Sequence, residues 1–159
     1  MRKEITHDPP RSFATVCTVA VSLAASAQEK KVEQSSLPPA VQKTVQEQSQ
    51  GATIRGYSTE RDHGKKVYEA EMMVDGHTKD IEIAQDGRLN EIEEEVAFDR
   101  LPTDVQAALT ARAAGAKITK VESLTKHDKL VANEAATLKG AKKGEIQVGP
   151  DGGKLSHEE

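Results

Sequence analysis

Carboxylates at every second position are the first feature of this chain that could do chemistry. Glu69 and Glu71 stand two apart, as do Asp80 and Glu82, and Glu91, Glu93, Glu94 and Glu95 follow. In an extended chain residues i and i+2 share a face, so this spacing lines carboxylates up on one side of a sheet. Carboxylate oxygens hold basic groups and hard cations. Glu69, Glu71, Asp80 and Glu82 are therefore the candidate surface for a partner or a cation. The alternative is a solvated sheet face, with Lys66, Lys79 and Arg88 near enough to relieve some repulsion.

Other chemistries find less support. His63 with Glu60 and Asp62, or His77 with Asp75 and Asp80, could hold a divalent ion loosely. Neither pair has a second histidine at ligand spacing, nor do His127 and His157, so no metal ligand is assigned. Asp75-Gly76 and Asp86-Gly87 lack the Asp-x-Asp-x-Asp pattern of a calcium loop and read as turns. There is no Gly-x-Ser-x-Gly and no phosphate-cradling glycine loop. No catalytic residue and no cofactor is assigned, and the expectation is a protein that is not an enzyme.

The elements that must position these carboxylates are legible in part. Asp75-Gly76 sits between two alternating runs, a strong hairpin signal. A two-residue turn pairs Val74 with His77, Met72 with Lys79, Ala70 with Ile81 and Tyr68 with Ile83, which puts Tyr68, Ala70, Ile81 and Ile83 on one apolar face. The same register sets Glu69 opposite Glu82 and Glu71 opposite Asp80, and like charges directly opposite destabilise a ladder. Thr53 to Tyr57 is expected as a preceding strand, Glu60 to Gly64 as a charged loop, and Leu89 to Val96 as a third strand or a fraying end.

Leu37-Pro38-Pro39 opens a helix whose Leu37, Val41 and Val45 share one stripe, with Gly51 as its stop. About sixty-four residues later the order returns. Leu101-Pro102 leads a segment with Val105 and Leu109 on one face and Gly115 at its end, and Thr103 with Gln106 suggests a capping box. Leu130 to Leu138 alternates weakly, Lys139 to Gly144 reads as a longer basic loop, and Glu145 to Val148 as a strand. Residues 37–100 carry a net charge of −6 and residues 101–159 a net of +1, which suits the two stretches to packing on each other. Phe98, in the connection, is expected to pack them together.

The chain has 159 residues and a formal net charge of −4, so it lacks the basic footprint of a nucleic-acid binder. Its first 27 residues read as a signal peptide: Arg2, Lys3 and Arg11, an apolar small-residue run from Phe13 to Ala25, and Ala25-Ser26-Ala27 as the cleavage site. That run is too short to span a membrane. The only cysteine, Cys17, lies inside it, so the mature chain has no disulfide or thiolate site. Residues 28–36 read as a linker.

The order signal peptide, Leu-Pro-led helix, Gly-Ala-x-Ile, Tyr68-Glu69-Ala70-Glu71, Asp75-Gly76, Ile81-Glu82-Ile83 and Asp86-Gly87-x-Leu89 resembles the PepSY-like domains of exported bacterial proteins. Some of these are described as similar to the tandem-repeat β-lactamase inhibitory protein. The resemblance covers Leu37 to Val96 well and Leu101 to Leu155 more weakly. It implies an α+β fold of two tandem units, each a helix packed on a small antiparallel sheet, divided at residues 37–100 and 101–159. It also implies a non-catalytic role in the periplasm or outside the cell, inhibitory or regulatory toward a protease or other envelope protein. The expected partner is another exported protein, with no nucleic acid and no membrane span after signal cleavage. The alternative is a cation- or small-molecule-binding protein that uses the acidic face.

Overall fold

The computed structural model describes residues 29–62 and 64–159. The signal-peptide assignment and His63 lie outside the described residues. Among these residues the chain forms eight strands and two α-helices: β1 (Lys30–Lys31), α1 (Pro39–Gln48), β2 (Thr53–Asp62), β3 (Lys65–Val74), β4 (His77–Ala84), β5 (Leu89–Glu95), α2 (Thr103–Ala113), β6 (Lys117–Lys126), β7 (Lys129–Lys139) and β8 (Lys142–Val148).

All eight strands belong to one antiparallel sheet in the order β1 to β8. This corrects the expected fold class. Two separate helix-on-sheet units do not form; the described residues build mostly one sheet, with 50% of them in strands and 21% in helices. The physical reason is the edge of β5. Two independent sheets would each leave a row of unpaired N–H and C=O groups. Instead Glu91 to Glu95 pair with Lys126 to Glu122, which removes two edges at once.

Both helices lie on the same side. Leu37, Val41 and Val45 pack with Tyr68, Ala70, Met72, Ile81 and Ile83, while Leu101, Val105 and Leu109 pack with Val121, Ala135 and Val148. Ile81 pairs with Ile92 and Ile92 with Thr125. Cross-strand partners share a face, and Val121, four residues from Thr125 on β6, shares its face, so the apolar side is continuous across the sheet. Phe98 packs against the second cluster rather than bridging the two.

The hairpin register expected from Asp75-Gly76 is the one that forms, Val74 with His77 through Tyr68 with Ile83. Both turn residues have positive φ, 51° and 88°, as a two-residue hairpin turn requires. Other local expectations are corrected. Glu60, Arg61 and Asp62 extend β2 instead of looping. The stretch read as a linker supplies β1, paired to Ser58 and Thr59. The basic loop of the second hairpin is a tight turn at Gly140 and Ala141, since Lys139 pairs with Lys142. Thr103 is the first residue of α2 and makes no cap; Gln106 Nε2 reaches back to the Leu101 carbonyl at 2.8 Å instead.

Candidate functional site: the open face of the sheet

With both helices on one side, the side chains that alternate with the core point to the other. The four predicted residues all fall there. Glu69 is directly opposite Glu82, and Glu71 opposite Asp80. The pairing continues into β5, where Glu82 meets Glu91 and Asp80 meets Glu93. Two rows of carboxylates therefore cross three strands: Glu69, Glu82, Glu91, and beside it Glu71, Asp80, Glu93. In the first row the next position, on β6, is Lys126.

The same pairing brings in residues that sequence reasoning missed. Glu122 on β6 is nearly buried, accepts from Lys120 Nζ at 2.7 Å, and lies opposite Glu134 on β7. Carboxylate oxygens of Asp80, Glu93 and Glu122 lie within 4.8 Å of one another. Period-two runs such as Glu91-x-Glu93-x-Glu95 and Lys120-x-Glu122 were visible in the sequence. Nothing local shows that β5 and β6 are neighbours, and that neighbourhood is what assembles the group.

Burial decides the electrostatics. It pushes Glu93 up to about 8, with Glu91, Glu122, Glu134 and Asp80 adding like-charge repulsion. Glu69 is pushed up to about 7, again by burial first, against the hydrogen bond that Ser58 Oγ donates to it at 3.0 Å. Burial also raises Asp80, Glu82, Glu91 and Glu134 above the ordinary carboxylate range. Glu95 goes the other way: it accepts from the backbone N–H of Thr78 at 3.0 Å, which lowers it.

Cations already sit on part of this face. Lys126 Nζ is 3.4 Å from Glu91 and 3.4 Å from Glu159. Burial acts to lower its pKa, and the two carboxylates outweigh that and raise it. The C-terminal segment reaches this position from the helix side. Gly152 sits against the Asp104 carbonyl at the start of α2. Glu159 then pairs with Gln147 on the opposite face, its N–H donating to Gln147 Oε1 at 2.8 Å.

Between the rows and this segment runs a groove of about 1060 Å³. Among the described residues its lining holds ten carboxylates against four lysines and arginines, and no serine, threonine or tyrosine. Glu69, Asp80 and Glu82 line it, as do Glu91 and Glu93, while Glu71 stands just outside. His127 lines it as well; His77 and His157 do not. None of the described histidines joins a three-residue ligand group.

No family model matches the chain, and no curated protein does. Solved structures do. A candidate periplasmic protein of Bacteroides eggerthii superposes with a TM-score of 0.61 at 18% identity, over 75% of this chain and 86% of that one. A DUF2874 family protein of Bacteroides ovatus gives 0.58 at 20% identity, over 76% and 85%. A BLIP-like protein of Bacteroides fragilis gives 0.56 at 21% identity, over 75% and 83%. At these identities what is shared is the fold.

Proposed function

We propose that this chain is an exported, non-catalytic binding module that receives another exported protein on the open face of its sheet. The observation that carries the reading is the asymmetry of the sheet. One side is sealed by both helices, and the other presents a broad groove of partly buried carboxylates. Export is supported by the signal-peptide pattern of the first 27 residues and by the periplasmic description of the Bacteroides eggerthii neighbour. The groove offers carboxylates and alkylammonium groups without a hydroxyl or thiol nucleophile beside a base, which supports binding over catalysis. An inhibitory or regulatory role toward an envelope protein agrees with the BLIP-like neighbour. No helix among the described residues is long and apolar enough to cross a membrane.

A rival reading, a divalent-cation site, is favoured by the closeness of Asp80, Glu93 and Glu122. Lys120 weighs against it, because its ammonium already neutralises Glu122 at 2.7 Å. The binding reading is tested by photo-crosslinking in periplasmic extract. A crosslinking side chain at Met73, on the open face, captures a protein; the same group at exposed Gln46 on α1 does not. Adducts from α1 alone, or none from either position, would overturn it.

A further inference from the structure

We propose that the occupant of the open face is an extended, lysine- or arginine-rich segment of the partner, its alternate side chains seated in the two carboxylate rows. The inference rests on the binding reading above and names the chemistry that reading leaves open.

Geometry and charge complementarity carry it. Adjacent strands lie about 4.8 Å apart, and residues two apart along a strand are separated by about 6.8 Å. Glu69 and Glu71 on β3, and Glu91 and Glu93 on β5, therefore repeat at about 6.8 Å along the strand direction. Same-side side chains of an extended guest repeat at that same interval, so a basic residue at every second position meets a carboxylate at each.

The protein's own lysines show, independently, what this face holds. Lys126 takes the next place in the Glu69–Glu82–Glu91 row and is shared between Glu91 and Glu159 at 3.4 Å each. Lys120 seats on Glu122. These internal ammonium groups serve the β5–β6 side of the face. Toward β3 the lining also holds Lys65, Lys66 and Arg88, and among the described residues no ion pair joins them to Glu69, Glu71 or Glu82. Glu69 and Glu82 are met there only by neutral donors, Ser58 and Asn90. Glu71 and Glu93 make no side-chain hydrogen bond or ion pair with any described residue.

Size decides against a lone ion. The groove's volume of about 1060 Å³ lies just above the roughly 300–1,000 Å³ of pockets for drug-sized ligands. A single cation leaves it almost wholly vacant, whereas a stretch of chain fills it.

The test uses the full mature chain and a fluorescent Lys-Ser-Lys-Ser-Lys-Ser peptide, followed by anisotropy at low salt and pH 8.5, where the rows are ionised. The peptide binds, and affinity falls as salt rises because the contacts are ionic. A matching Glu-Ser peptide does not bind. The double variant Glu71→Gln/Glu93→Gln weakens binding at least tenfold, and Glu47→Gln on α1 leaves it unchanged. Absence of peptide binding overturns the proposal, as does an equal loss in the Glu47 variant. It is also overturned if calcium or spermidine displaces the peptide at concentrations no higher than the peptide's own. A crosslinked partner at Met73 with no binding of the basic peptide would sink this inference and leave the binding reading standing; no adduct from Met73 would sink the binding reading itself.

Discussion

Glu93 stands among Asp80 on β4, Glu91 on its own strand, Glu122 and Lys120 on β6 and Glu134 on β7. Burial holds its proton on to about 8, and Glu69 holds its own to about 7. In the unfolded chain both lose it near the ordinary glutamate value, about 4.3. Between these limits the folded state binds more protons, so stability is fully present below about pH 4 and declines as pH rises toward 8. The melting temperature is expected to fall from pH 5 to pH 8.5. Glu93→Gln cannot ionise, and so it flattens that slope. It should leave stability at pH 5 nearly unchanged and raise it by on the order of 1–2 kcal/mol at pH 8.5. A variant with the wild-type slope would show that Glu93 is not the group responsible. Proton linkage also bears on the groove: a cationic guest favours the ionised rows, so basic-peptide binding should strengthen as pH rises from 6 to 8.5.

Among the elements, the turn after β4 is where sheet and helix constrain each other most. Gly87 has φ of 87°, and a Cβ there would stand 2.8 Å from the Ala40 carbonyl of α1. Thr44 Oγ1 donates to the Gly87 carbonyl at 2.5 Å, fixing the approach. Gly87→Ala therefore meets both backbone strain and a clash. Gly76→Ala meets strain alone, since nothing lies within 4 Å of its Cβ position. We expect about 3 kcal/mol of destabilisation for the first and about 1–2 for the second, read as denaturant midpoints at constant m. Equal midpoints would show that α1 gives way without cost. The β3–β4 hairpin was legible because its signals are local, in a turn that demands positive φ and a register that agrees with burial. The expected Thr103 cap does not form because Ser/Thr-x-x-Gln fits two geometries. With Leu101-Pro102 extended before the helix, Gln106 finds the Leu101 carbonyl first.

At the scale of the whole molecule, the β5–β6 pairing makes eight strands one structure. Calorimetry is expected to show a single unfolding transition. Glu94→Pro, in a strand paired on both sides, removes a ladder hydrogen bond whichever neighbour receives it. It should lower the melting temperature and split the transition in two. Two transitions in the wild-type chain would mean that the halves unfold independently despite the shared sheet. The sequence alone determined what depends on near neighbours: both helices and the apolar stripe of each, the Asp75-Gly76 turn, and the placing of Glu69, Glu71, Asp80 and Glu82 on one face. Tertiary structure decided what depends on distant ones. It joined two expected sheets into one, because an unpaired edge costs hydrogen bonds that β5 and β6 satisfy in each other. By that pairing it set Glu91, Glu93 and Glu122 beside the predicted four, under enough burial to push Glu91 and Glu93 above the ordinary carboxylate range. The reason is physical: alternation along a strand chooses a face, but only the order of strands chooses which charges must share it.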